Sequence, residues 1–214
     1  MKLAKKLQLI EKHKKNFVVI GGPAYPALNG IHYAEDGTIY ATDRYCVLRM
    51  KNIHMRDAPV TIHAVTGEKI RDEYPVRVLE EKFPTDFETG FVLVGREKIA
   101  GAVRVARLAK EIYGYYNPYD GAQLFSQHTD VILNIQASGL QFTVKFADYE
   151  DRKEFRIGFT PRFLYKALKF FEDAGTSYLR VWFPKDRRAP FLVSDPYNGI
   201  DIFILPCVSR SDGT

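Results

Sequence analysis

The sequence predicts an α+β fold in which helices lie on one face of antiparallel sheets and a helix-plus-sheet unit is duplicated. Three observations predict it. Runs rich in Val, Ile, Tyr, Thr and Phe recur in period-two alternation, separated by Gly, Asn and Asp turns. Two segments, 96–113 and 161–174, carry apolar residues at helical spacing. From residue 91 the order reads strand, helix, three strands, helix, three strands, which suits sheets crossed by helices rather than a parallel βαβ succession.

Taken in order, residues 2–15 predict a helix with Leu3, Leu7 and Ile10 as its apolar face and lysines over the remaining arc. From Phe17 to about Val60 the texture is that of strands and turns, with breaks at Gly21-Gly22-Pro23, Asn29-Gly30 and Glu35-Asp36-Gly37; GIHYAEDGTIYATD is the clearest hairpin. Residues 60–90, broken by Pro59, Gly67, Pro75, Pro84 and Gly90, hold no long periodic segment and mark a candidate boundary. FVLV (91–94) predicts a strand leading into the helix from Arg96, and GYYNPYDGAQLFSQH a tyrosine-rich loop. Three strands follow through TDVILNIQASGLQFTVKFADYED and KEFRIGF, with turns at Ser138-Gly139 and Asp148–Asp151. The next helix has Thr160 as N-cap, Pro161 at its first position and Gly175 at its end. YLRVWF, APFLVSD and GIDIFILP complete the strands.

A 46% hydrophobic content supports a packed core rather than a disordered chain. The net charge of +5 permits a polyanionic partner without demanding one. Cys46 and Cys207 form no CxxC pair, so neither a disulfide framework nor a structural zinc is expected, and a reducing cytoplasmic location is. No signal-peptide or membrane-spanning run is present. His13, His32, His54, His63 and His128 show no metal-ligand spacing, and Walker, GxGxxG and GxSxG motifs are lacking. Asp148, Glu150 and Asp151 could be a metal cluster, but beside Arg152 and Lys153 they read as a charged turn. No nucleophile, base and orienting group assemble, so a non-enzyme without cofactor or metal is the expectation.

At about 100° per residue, Phe163, Leu164, Ala167, Leu168 and Phe171 share one side of the late helix, and Arg162, Lys166 and Lys169 the other. The helix from Arg96 repeats the design: Ile99, Ala102, Val103, Ala106, Ala109 and Ile112 oppose Arg96, Arg104, Arg107 and Lys110. Lys5, Lys6, Lys12 and His13 form a looser arc on the first helix. On any one helix this is what a solvated face looks like. Three helices agreeing point instead to sequence-independent attraction to phosphates, with Glu111 and Asp173 as acidic intrusions. The arcs lack the Asn and Gln expected for base readout.

Three stretches resemble the bacterial DNA sliding clamp, the β subunit of the replicative polymerase. FTPRFLYKALKFF and the following segment to DIFILPCV resemble that family's last helix and closing strand. ALNGIHYAEDGTIYATDRYCVLRM resembles the hairpin near the start of a clamp domain, and EKFPTDF the Phe-Pro-Asp-Tyr leading into the last domain. The resemblance implies a shortened clamp-like domain over 1–85, a complete one over 86–209 and a flexible tail over 210–214. It implies a homo-oligomeric ring whose helices face double-stranded DNA without sequence preference, tethering polymerase or loader peptides. The positions matching the family's peptide cleft are Pro84, Ile204, Leu205 and Pro206, although a buried strand end would look equally apolar at Ile204. Glu88 and Thr89 stand where the family has basic residues. The first domain lacks a second helix, and this compactness suggests a phage or mobile-element origin. The alternative is a clamp-like protein that captures replication partners without encircling DNA. The aromatic loop Tyr113–Tyr119 could stack on bases or on a neighbouring subunit, or pack on itself.

Overall fold

The computed structural model describes residues 1–21, 25–115, 122–137, 140–151 and 153–207. The tail 210–214, the Ser138-Gly139 turn, Gly22-Pro23 and most of the Tyr113–Tyr119 loop lie outside the described residues. In chain order the elements are α1 (Leu3–His13), β1 (Gly30–Tyr33), β2 (Ile39–Thr42), β3 (Cys46–Met50), β4 (Val60–His63), β5 (Lys69–Ile70), α2 (Val76–Lys82) and β6 (Phe87–Val94). There follow α3 (Arg96–Tyr115), β7 (Ala122–Gln127), β8 (Asp130–Ala137), β9 (Leu140–Asp148), β10 (Arg156–Phe159), α4 (Pro161–Ala174), β11 (Tyr178–Pro184), β12 (Phe191–Asp195) and β13 (Ile200–Ile204). The fold is α+β with antiparallel pairing. The chain divides into two compact units. The first comprises Met1–Phe83 with Ser194–Phe203, and the second Pro84–Val193 with the chain from Ile204 onward.

In the first unit the strands run in the order β5-β4-β1-β2-β3. The hairpin expected from GIHYAEDGTIYATD is present: His32 pairs with Tyr40 and Tyr33 with Ile39. Gly37 sits in its turn at φ 78°, a conformation costly for a residue with a side chain. The stripe buried by α1 is Lys6, Leu9, Ile10 and His13, still at i, i+3, i+4, i+7 but rotated from the expected Leu3, Leu7 and Ile10. Leu3 is exposed and Leu7 half-buried. The rotation is possible because Lys6 Nζ donates to the Lys51 carbonyl at 2.6 Å, which satisfies a cation inside the stripe. Helix α2 was not expected from the sequence. It is seven residues long and buries none of them, so it carries no apolar period.

Between β2 and β3 the chain turns through Arg44 at φ 78°. Asp43 Oδ1 accepts from the Tyr45 and Cys46 N–H groups, and Thr42 Oγ1 accepts from Arg44 N–H while donating to Cys46 O. These four bonds hold a non-glycine residue in the left-handed region, where a side chain costs about 1–2 kcal/mol. Because Arg44 is exposed, Arg44→Gly is expected to raise stability by about 0.5–1 kcal/mol, read from urea denaturation.

In the second unit α3 and α4 pack against each other, and α3 also contacts β6, β8 and β9. Ile99, Ala102, Val103, Ala106 and Ala109 of α3 are buried, as are Phe163, Leu164, Ala167, Leu168, Phe170 and Phe171 of α4. The alanines of α3 keep its buried face flat, while α4 supplies the large rings. Thr160 is the α4 N-cap residue, but its side chain makes no capping bond; Oγ1 lies 3.2 Å from Cys207 Sγ instead. At the other end Gly175 adopts φ 73°, its N–H bonding Glu172 O while Thr176 N–H bonds Phe171 O, a Schellman closure. One sheet has the order β10-β7-β8-β9, and β6 and β12 flank β11 in the other. Strand β7 corrects the expectation of a loop reaching His128. Ala122 and Leu124 are buried and pair with Ile135 and Leu133, but the Gly, Pro and Tyr residues just before them hide the start of the alternation.

Candidate nucleic-acid interface

The basic arcs of α3 and α4 exist because each helix gives its apolar face to the core and leaves its remaining positions to solvent. Arg96, Arg104 and Arg107 of α3 and Arg162 of α4 are exposed; Lys110, Lys166 and Lys169 are half-buried. On α3 five cations stand against two carboxylates, on α4 three against two, so the positive character is concentrated on α3.

Several of these cations already have partners. Arg107 Nε donates to Glu111 Oε1 at 2.9 Å, an exposed i,i+4 pair. An exposed pair of this kind adds little to stability and can exchange its carboxylate for another anion. The Lys110 ammonium lies 4.7 Å from the centre of the Tyr165 ring, linking α3 to α4. Arg162 and Lys166 flank the Phe163 ring at 4.6 and 5.0 Å. Lys169 bonds both Glu172 at 2.7 Å and Asp173 at 2.9 Å, and these two hydrogen bonds raise its pKa. Two carboxylates around one ammonium cancel its outward field, a feature invisible when the helix is read as two faces.

On α1, Lys5 and Lys12 are exposed. Lys6 and His13 are corrections to the expected arc. Lys6 is 4% exposed and bonded to backbone, and His13 is 4% exposed with Nδ1 3.3 Å from Asn16 Nδ2. Both belong to the buried stripe. The cleft positions are divided. Leu205 is exposed and Pro84 and Pro206 half-buried, but Ile204 is fully buried and unreachable by a partner, so at this position the buried strand end is what the structure holds.

Lys98 of α3, which the helical periodicity does not place in the basic arc, is exposed and bonds Asp148 Oδ2 at 2.7 Å. Lys145 bonds Asp148 Oδ1 at 2.8 Å and Asp130 at 2.7 Å. Hydrogen bonds from Lys145 and then Lys98 hold the Asp148 carboxyl down to about 2, and the hydrogen bonds to Asp130 and then Asp148 push Lys145 up to about 12. For a depressed carboxylate the stabilisation is present above the unfolded pKa and fades as pH falls from there through the folded one. Lys145→Met is expected to move the Asp148 titration upward toward the ordinary carboxylate range of about 4, as followed by NMR. Among the described residues no three His, Cys, Asp or Glu side chains come together as a metal site, and no helix is long and apolar enough to cross a membrane. His32 Nδ1 lies 3.0 Å from Thr61 Oγ1, and His63 Nδ1 accepts from Thr66 N–H at 3.0 Å, both local structural bonds.

No family model and no curated protein matches the sequence. Solved structures do match. The β sliding clamp of Caulobacter crescentus aligns at 16% identity and TM-score 0.74, over 97% of this chain and 64% of that one. The DNA polymerase III β chain of Streptococcus pneumoniae aligns at 14% and 0.77, over 95% and 63%. The sliding clamp of Bartonella birtlesii, solved with griselimycin bound, aligns at 14% and 0.74, over 96% and 64%. The chain therefore has the sliding-clamp fold and spans under two thirds of the length of these clamps.

Proposed function

We propose that this chain is a non-enzymatic, clamp-like processivity factor that holds duplex DNA against the cations of α3 and α4 and tethers replication proteins to it. The observation that carries the reading is the pair of mutually packed helices whose core faces are apolar and whose other faces present Arg96, Arg104, Arg107 and Arg162. Long cations on a rigid helix can follow a phosphate backbone without reading bases, and release of condensed counterions supplies the attraction. Copies of the chain would close around the duplex, so that topology rather than affinity keeps the protein in place while weak contacts let it slide. The test is retention on circular duplex DNA during gel filtration. Salt-sensitive retention on the circle, lost when the DNA is linearised, is expected; equal retention on both forms contradicts encirclement.

A second reading is supported by the internal neutralisation of Lys169 and the exposure of Leu205. In it the chain captures a polymerase or clamp peptide without surrounding DNA. That reading requires Leu205→Asp to abolish partner capture, with reversal of Arg104, Arg107, Lys166 and Lys169 leaving it intact. The clamp reading requires the charge reversal to weaken contact with duplex DNA.

A further inference from the structure

A cavity of about 280 Å³ in the second unit lies beside β6 and is used by neither reading. β6 is the last strand of its sheet and pairs along one edge with β11, from Val94↔Tyr178 to Phe87↔Pro184. Phe91 and Leu93 point into the core, which leaves Val92 and Val94 exposed on the other face. Trp182 of β11 stands across from Gly90. A Cβ at Gly90 would meet Trp182 Cε3 at 2.8 Å and collide with the Val181 carbonyl, so only glycine admits the indole there.

The cavity is also lined by Asp148, at the end of β9, and by Glu150 and Asp151 of the turn that follows. That turn is anchored. Tyr149 is buried, its hydroxyl bonded to Lys153 O and lying 2.7 Å from Thr89 Oγ1, and Thr89 donates to Asp151 Oδ2 at 2.7 Å. Asp148 in the cavity lining is already held by Lys98 and Lys145, which leaves the carboxylates of Glu150 and Asp151 to set its charge, on a chain whose net charge is +5. A terminal strand with exposed valines, an indole and a surplus of carboxylates together define what fits.

We infer that this cavity receives the arginine or lysine side chain of an extended partner segment lying along the free edge of β6. The segment's main chain bonds the outer edge of β6, its apolar residues cover Val92 and Val94, and its cation sits between Glu150 and Asp151 beside the edge of Trp182, whose ring centre already has the Arg180 guanidinium 5.9 Å away. Charge selects the occupant: the carboxylates repel nucleic acid and acidic peptides, so this surface is separate in chemistry from the α3 and α4 arcs.

Trp182 is the sole tryptophan, so intrinsic emission reports on this cavity. The probe is the acetylated and amidated peptide Val-Thr-Val-Thr-Arg, whose valines and arginine share one face of an extended strand, titrated into the full chain beside its citrulline counterpart, which keeps shape and hydrogen bonding but loses charge. Saturable change in Trp182 emission is expected, with the citrulline peptide at least about tenfold weaker. Glu150→Gln should weaken the arginine peptide several-fold and leave the citrulline peptide unchanged. Equal binding of the two peptides, or no saturable change, overturns the proposal; so does an emission change that follows protein concentration without peptide, which identifies a second copy of the chain as the occupant. Comparing the two peptides on the unaltered protein requires no variant to fold. No DNA is present, so failure here leaves the clamp reading standing, and loss of DNA retention leaves this site standing.

Discussion

Replacing Arg96, Arg104, Arg107 and Arg162 together by glutamate is expected to weaken binding to a short linear duplex at least about a hundredfold near physiological salt. Each lost phosphate contact removes about one unit from the slope of log affinity against log salt, so the variant's salt dependence should flatten by about three to four units. The effect should be the same on unrelated DNA sequences, since phosphate contacts carry no base information. All four side chains are exposed, so the far-UV spectrum should be unchanged and any loss of stability should stay within about 0.5 kcal/mol per site. Lys169→Met is the informative contrast. Its ammonium is already shared by Glu172 and Asp173, so its removal should weaken binding less than loss of Arg104 alone. An unchanged salt slope in the fourfold variant would remove these helices from the interface.

Arg49→Ala carries the largest expected cost in stability. In the first unit the Arg49 guanidinium donates through Nε and Nη2 to Asp201 Oδ2, at 3.2 and 2.9 Å, and through Nη1 to both oxygens of Glu80, at 3.2 and 3.0 Å. It also lies 4.9 and 5.1 Å from the ring centres of Phe83 and Phe203, which stack on each other at 3.9 Å. Tyr40 donates to Glu80 at 2.7 Å and Ser194 to Asp201 at 2.7 Å, so both acceptors are held in place from a second side. Burial and the bond to Glu80 push the Tyr40 phenol well above its ordinary pKa. The Arg49 side chain is 18% exposed and that of Asp201 14%. Its truncation leaves two carboxylates facing each other without their cation, at a cost of about 3 kcal/mol. Arg49→Lys keeps the charge but not the planar fork and should fall between. Because Trp182 lies in the second unit, the loss should appear in the urea transition followed by far-UV circular dichroism before it appears in tryptophan emission. A transition that does not move would mean that the network is spent on desolvation.

The elements legible in the sequence are those whose burial is periodic. In α4 the Phe163, Leu164, Ala167, Leu168, Phe171 stripe and the Thr160-Pro161 and Gly175 boundaries agree with one another, so a local reading suffices. α2 has no buried side chain, and β7 follows a stretch that reads as loop, so neither offers a period to find. The phase of α1 depends on Lys6 reaching the Lys51 carbonyl, a contact across 45 positions that no window contains. The assignment of Ser194–Phe203 to the first unit is equally non-local. At the candidate interface, periodicity places the cations of α3 and α4 away from the core. It cannot say that Lys169 is held by two carboxylates or that Lys110 rests on Tyr165, because those partnerships depend on rotamers and on the neighbouring helix. The burial of Ile204 beside exposed Leu205 likewise follows from packing around β13, which composition leaves open.

The central claim is that the outward faces of α3 and α4 are the surfaces that meet DNA. It is tested most directly by photocrosslinking from single introduced cysteines in a Cys207→Ser background, Cys46 being buried. With a short azide reagent attached at Arg104→Cys, Arg162→Cys or Val92→Cys, transfer to a closed circular duplex is expected from positions 104 and 162 and not from position 92, on the exposed face of β6. Equal transfer from all three positions, or transfer from position 92 alone, would contradict it.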